Sequence, residues 1–369
     1  MIAGGAQRAE SAESRPHEPD PVRTGVGTAS ECASGNHLQE VYFFMRRALL
    51  LSLMIFFLSL SAVSALTVYS YDSLEPLAEE SFGKFTEQTG IDVEFRAVGD
   101  SGSLLSLIIS EREKFDGDVV IGIDNLLSRR AFEEDIFLSY RPMGFERIIS
   151  NDLLLDEEWR LTPYDFGSIA LICNGSQIEE SISTLWDLTK PEFERSVIIQ
   201  DPRTSSTGLS FLAWTYLLFG ERFEEFWRAL TPSILTVSLS WDDAFQKFES
   251  GEAPIMVSYA TDGAYSKHYY GESIYSTVIP EGKGYVQVEG AGIIKWTDNL
   301  EEAKLFMDFI LSEDFQSHIP LNQWMFPVIE VEMPPAFDYA VKPQKILKLS
   351  ADVDLSKLIE TWEEVIYER

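Results

Sequence analysis

Behind residue 65 the chain alternates short β-branched or apolar runs with amphipathic stretches whose apolar positions recur three and four apart, a pattern that predicts an α/β protein built on mainly parallel sheets. A first strand is expected over 66–71 (LTVYSY). A helix follows over 77–90, with Leu77, Phe82 and Phe85 on one face and Gly90 at its exit, and a second strand over 91–97 completes a βαβ unit. The run SGSLLSLIISEREKF opens with small capping residues and reads as a helix, and GDVVIGID reads as a strand buried on both faces. Further strands are expected over 168–173, 197–200, 255–258 and 285–291, with helices over 206–219, 223–230, 242–250, 300–312 and 352–367. No internal repeat, low-complexity tract or long linker interrupts this region. Two lobes joined without a linker must be joined by chain crossings. Crossings near Pro163 and Gln287 divide the chain into one lobe of 66–162 with 288–369 and another of 163–287, with a hinge and a cleft between them.

The front of the chain follows different rules. Residues 45–65 have the layout of an export signal: Arg46 and Arg47 supply a positive start, 49–60 supply about a dozen apolar or small residues, and SAVSA ends in small residues suited to cleavage after Ala65. The apolar stretch is short for a membrane span, which needs roughly 20 such residues. A retained anchor is the alternative, and either reading puts the folded body outside the cytoplasm, in the periplasm or on the outer face of the cell membrane. Residues 1–44 are rich in Gly, Ala, Ser, Glu and Pro without periodicity and are read as an untranslated or disordered extension, with translation starting at Met45.

Charge narrows the function classes. The chain has 29 Lys and Arg against 60 Asp and Glu, a net charge of −31. Phosphate backbones need basic stripes that are missing here, so no nucleic acid is expected as a partner. A cationic ligand suits the charge better. Cys32 falls in the extension and leaves Cys173 without a disulfide partner. His268 and His318 are far apart with no Cys partner, so no zinc site is expected, and no cofactor.

Three groups of residues point to binding chemistry. In IIQDPRTSSTGLSFLAW a strand runs through a Pro-containing turn into a helix, and the hydroxyls of Thr204–Thr207, with Ser205 and Ser206 among them, gather near its start. That arrangement suits an anion, or equally an ordinary N-cap by Ser205 or Ser206. Aromatic residues at loops or strand ends (Tyr69, Tyr71, Trp241, Tyr259, Tyr265 and Trp324) can stack on a flat cation if several converge, and otherwise pack in a core. Asp72, beside Tyr71, and Asp124, directly after the third strand, are acids at strand ends, where an open α/β sheet faces its ligand. Enzyme motifs are thin: neither a nucleophile elbow nor a Walker A loop nor a zincin helix is present, and Cys173 lies within the apolar run SIALIC.

The segments LTVYSYDS, SGSLL, DVVIGIDN, TPYDFG, IQDPRTSSTGL, SWDDAF, VSYATDGAY, GYVQVEGAGI and NQWMFPV, in this order, resemble the thiamine-binding substrate-binding proteins of ABC importers over most of 66–347. The resemblance implies a two-lobed periplasmic-binding-protein fold of type 2 and a monomer that delivers thiamine, thiamine monophosphate or thiamine diphosphate to a permease and its ATPase. It further implies that Tyr71, Trp241, Tyr259, Tyr265 and Trp324 contact the rings, Asp124 the positive charge and Ser205 a phosphate. One departure is visible: LEPLAEES after the YDS motif lacks the aromatic that similar proteins carry there. Two rival readings stay open. A receptor of the same fold could take another solute, such as a polyamine, or ferric iron through Tyr269 and Tyr270. A thiamine-degrading enzyme would need Cys173 in the cleft.

Overall fold

The computed structural model describes residues 43–47, 65–177, 181–272 and 274–367. The chain divides into residues 1–62 and 63–369, and within the first only the helical turn 43–47 is described. The expected leader and the extension before it therefore lie outside the described residues, apart from that turn and Ala65. In the second unit the apolar runs become strands β1 Leu66–Ser70, β2 Val93–Ala97, β3 Val119–Asp124, β4 Phe137–Leu138, β5 Thr162–Asn174, β6 Val197–Gln200, β7 Ile234–Ser238, β8 Ile255–Tyr259, β9 Tyr275–Val278, β10 Lys283–Ile294, β11 Phe326–Pro327 and β12 Lys345–Leu347. The longer helices are α1 Glu75–Thr89, α2 Ser101–Ser110, α3 Leu127–Glu133, α4 Ser206–Phe219, α5 Phe223–Leu230, α6 Trp241–Glu249, α7 Asp262–Tyr270, α8 Leu300–Ile310 and α9 Leu355–Tyr367. Strand β6 and helices α4 and α5 lie where the periodicity predicts them. Strands β7 and β9 and helices α3 and α7 were not predicted; α7 lacks a clear apolar stripe and α3 and β9 are short, whereas the β-branched run of β7 was overlooked.

The main strand order is β2-β1-β3-β10-β5-β8-β6-β7. Both ends are parallel: β1 pairs with β2 and β3, and β6 with β7 and β8. The middle is not. Strand β10 runs antiparallel to β3 and β5, and β5 antiparallel to β8, so the sheet is mixed rather than mainly parallel. An apolar run predicts burial but carries no mark of strand direction. The two long strands serve both halves of the molecule. Residues 162–168 of β5 pair with β10, and 169–174 of the same strand pair with β8 and β9.

Each half has its own core. In the first, α1 starts with Pro76 in its first turn and ends at Gly90, whose φ of 75° is left-handed. Its Phe82 and Phe85 meet Phe306 of α8 edge-on, both at 5.1 Å. In the second, α4 is apolar on nearly every side and is buried among β5, β8 and α5. Helix α9, expected with the first lobe, instead packs on this second core: Trp362 is fully buried and lies 6.3 Å from the ring of Trp227. Strand β12 likewise pairs with β10 at 283–285. The chain thus returns to the second half after 330, because the apolar stripe of α9 finds its partner in α5. Among the described residues no helix is long and apolar enough to cross a membrane.

Candidate functional site

A cavity of about 380 Å³ opens where the two halves face each other. Aromatic rings build its wall as a continuous chain. Trp241, the first residue of α6, lies parallel to Phe245 one turn later, at 4.6 Å and 16°, and its indole N–H donates to Ser258 Oγ at 2.9 Å, which fixes the ring. Phe245 meets Tyr265 of α7 edge-on at 5.1 Å, and Tyr265 meets Trp324 at 5.2 Å. Trp324 sits at φ 56°, a left-handed conformation rare for a bulky residue, in the turn just before β11. Where the resemblance marks a missing aromatic, Ser73, Glu75 and Pro76 line the cavity.

The floor is polar. Glu289 of β10 accepts from the hydroxyls of Tyr71 and Tyr164 at Oε2 and from Gln287 Nε2 at Oε1, while the Tyr71 hydroxyl accepts from Gln323. Tyr259 shares a 2.9 Å hydrogen bond with Thr207 Oγ1. Asp100 has an unusual place: its carboxylate accepts the backbone N–H of Ser101 (2.7 Å), Ser206 (3.2 Å) and Trp241 (3.0 Å), which stand at the first turns of α2, α4 and α6. The positive ends of three helices thus converge on one internal anion.

Six carboxyl side chains line the cavity, those of Asp72, Glu75, Asp100, Asp242, Asp262 and Glu289, and among its lining residues there is no Lys, Arg or His. Burial raises the proton affinity of four of them. It pushes Asp262 up to about 7, and it pushes Asp242 up to about 6 with help from the charges of Asp100 and Asp72. Asp100 and Glu289 are raised in the same sense, chiefly by desolvation. No group of His, Cys, Asp or Glu among the described residues is arranged to hold a metal ion.

Of the ten residues named individually as binding candidates from sequence, the structure gathers seven at the cavity: Tyr71, Asp72, Ser206, Trp241, Tyr259, Tyr265 and Trp324. Asp124 and Ser205 are elsewhere. Asp124 is fully buried, and its Oδ1 accepts the N–H groups of Leu126 and Leu127, so it anchors the turn into α3 instead of facing a ligand. Ser205 is the N-cap of α4, its hydroxyl accepting from Gly208 N–H at 3.4 Å, and the neighbouring anion position is taken by Asp100. Tyr69 points away from the cavity and bonds Asp116 and Arg96. Sequence reasoning missed Asp100, Asp242, Gln323 and Glu289. Glu289 had a signal, a lone acid two residues after Gln287 in an otherwise apolar or small-residue strand. Asp100 had one too, an acid directly before a helix start.

Neither rival chemistry is assembled. Of the tyrosine pair, Tyr269 lines the cavity, whereas Tyr270 donates to Glu249 at 2.6 Å. Cys173 is a free, buried residue of β5 outside the cavity lining, and burial pushes its thiol up to about 12.

Comparison with known proteins bears on the family and the fold. The profile of the bacterial extracellular solute-binding protein family matches residues 117–353. A thiamine-binding periplasmic protein of Brucella melitensis is 30% identical over 295 residues, 78% of this chain and 86% of its own length. A protein of the same name from Haemophilus influenzae is 30% identical over 318 residues, covering 82% and 92%. Among solved structures, a periplasmic thiamin binding protein superposes with a TM-score of 0.75 at 28% identity, over 82% of this chain and 96% of the other.

Proposed function

The chain belongs to the bacterial extracellular solute-binding proteins, with the two-lobed periplasmic-binding-protein fold of type 2, and from that premise we propose that it captures thiamine or its phosphates for uptake by an ABC transporter. One observation carries the ligand class: a chain of four aromatic rings, Trp241 to Trp324, bounds a cavity with six carboxyl groups and no basic side chain among its lining residues. Such a site attracts a flat cation through stacking and cation–π contact, worth about 0.5–2 kcal/mol per ring depending on desolvation. Thiamine has two flat rings and a fixed positive charge on one of them. Its hydroxyethyl or phosphate end would meet the hydroxyls of Ser101, Ser206 and Thr207.

The two lobes would close by bending where β5 and β10 pass from one half to the other, with the ligand as the bridge. Export by the 45–65 segment would bring the protein to its permease and ATPase on the outer side of the membrane. No covalent step is required of any residue in the cleft.

Calorimetric titration of the ligand-stripped protein with thiamine, thiamine monophosphate and thiamine diphosphate, repeated on Trp241→Ala, tests the reading. Submicromolar binding that weakens about tenfold or more in the variant is expected, from the loss of one ring contact. Failure of a folded sample to bind any of the three, or tighter binding of spermidine than of thiamine, would remove the assignment.

A further inference from the structure

Three carboxyl side chains stand in register across the middle of the sheet. Glu289 of β10 pairs with Asp124 of β3 on one side and with Asp165 of β5 on the other. All three are buried, and only Glu289 reaches the cavity. Their hydrogen bonds sort them. Glu289 collects donors from Tyr71, Tyr164 and Gln287, as a charged carboxylate requires. Asp124 satisfies only Oδ1, while its Oδ2 and both oxygens of Asp165 have no partner among the described residues.

The groups that face this row are chiefly acids and phenols, Asp100 across the cavity, Tyr71 after β1, Tyr164 beside Asp165 on β5, Tyr259 on β8 and Tyr285 on β10, while the guanidinium of Arg129 on α3 acts on Tyr285. No cationic side chain lines the cavity. Neighbouring carboxylates in a desolvated row cannot all ionise without a counter-charge.

Resting on the reading of the cleft as a thiamine receptor, we infer that this row selects the charge of the ligand: in the empty cleft Asp124 and Asp165 hold protons beside the charged Glu289, and a permanently cationic ligand seated near Glu289 displaces one of them to solvent. The exchange balances, since one carboxyl group loses a proton as one fixed positive charge arrives. Burial pushes Asp124 up to about 7, with the charge of Glu289 adding to the effect, and pushes Asp165 well above the carboxylate range. Asp124 is therefore the member that titrates near neutrality, and it acts through its neighbour rather than by touching the ligand.

The test is titration of the full-length protein with thiamine at fixed pH in two buffers of different ionisation heat, repeated across about pH 6 to 8. Release of up to about one proton per ligand is expected, with Kd tightening by as much as about tenfold per pH unit below the native value for Asp124. An uncharged isostere, with thiophene in place of thiazolium, has the same aminopyrimidine and controls for protons moved by that ring. It is expected to bind at least tenfold more weakly and to release none. Asp124→Asn keeps an oxygen for the Leu126 and Leu127 N–H groups, and should abolish the release and flatten the pH profile. Thiamine binding without buffer-dependent heat, or equal affinity for the uncharged isostere, would overturn the inference while leaving the receptor reading in place. Absence of thiamine binding would overturn both. If the variant does not fold, the comparison of thiamine with its isostere on the native protein still decides.

Discussion

Closure can be probed at Gly102 without touching the cavity. A Cβ placed there would lie 2.6 Å from the carbonyl oxygen of Thr204, 2.7 Å from its carbon and 3.1 Å from the oxygen of Arg203, where ordinary contact begins at 3.4 Å. These are backbone atoms of the opposing half, so no side-chain rotation relieves the overlap, and Gly102→Ala must hold the two surfaces apart by several tenths of an ångström. Three hydrogen bonds cross at this point: Ser103 N–H to Thr204 O at 3.1 Å, and Ser206 and Trp241 N–H to Asp100 at 3.2 and 3.0 Å. Loss of the neutral bond and one charged bond costs the closed form about 2–4 kcal/mol. At about 1.4 kcal/mol per tenfold, thiamine should bind roughly 30- to 1000-fold more weakly. The open protein should not suffer, because Ala is favoured over Gly within a helix by up to about 1 kcal/mol. Titration calorimetry beside a thermal melt separates the two effects. Affinity equal to the native protein's, with an unchanged melt, would show that the contact of α2 with residues 203–204 does not hold the two lobes together.

Other expectations follow from the same geometry. Asp100→Ala frees three helix N–H donors, so thiamine monophosphate should gain about tenfold over thiamine, the equivalent of one charge-assisted bond; an unchanged preference in paired titrations would contradict this. Buried Asp124 and Asp262 and half-buried Asp242 have raised native values of about 7, 7 and 6. Their contribution to stability is complete below the unfolded value of about 4 and is lost as pH rises through the native ones, so the ligand-free Tm should fall between about pH 4 and pH 7. For a protein of this size each kcal/mol moves Tm by about 2–4 °C, and Asp262→Asn should shallow the decline, whereas a rising Tm would show the sign to be wrong. Cys173 should resist iodoacetamide in the native state and react on unfolding, as peptide mass mapping would reveal; rapid native labelling would mean that β5 opens locally.

Much of the architecture was legible because helical and strand periodicities are local. The apolar spacing of 206–219 and 223–230 matched α4 and α5 as folded, and the β-branched run at 197–200 matched β6. Seven cavity residues were visible for a similar reason: aromatic and small polar residues beside a strand end or helix start have few other places to face. Strand direction was not legible, since the long antiparallel passage of β5 and β10 through both halves depends on pairing between segments more than 100 residues apart. The destination of α9 was hidden likewise. Its apolar stripe announces that it must pack, but only the exposed flank of α5 decides where.

The clearest contrast is among the acids. By itself the sequence determined an acidic α/β protein with aromatic residues poised at strand ends, because composition and local spacing are enough for that. Which carboxyl groups matter was decided only by the tertiary structure. Asp124, prominent in sequence, turns inward to hold the start of α3, while Asp100 and Glu289, passed over in sequence, reach the cleft. The physical reason is that a carboxylate's role depends on which donors, charges and solvent surround it, and those are supplied by residues far away along the chain.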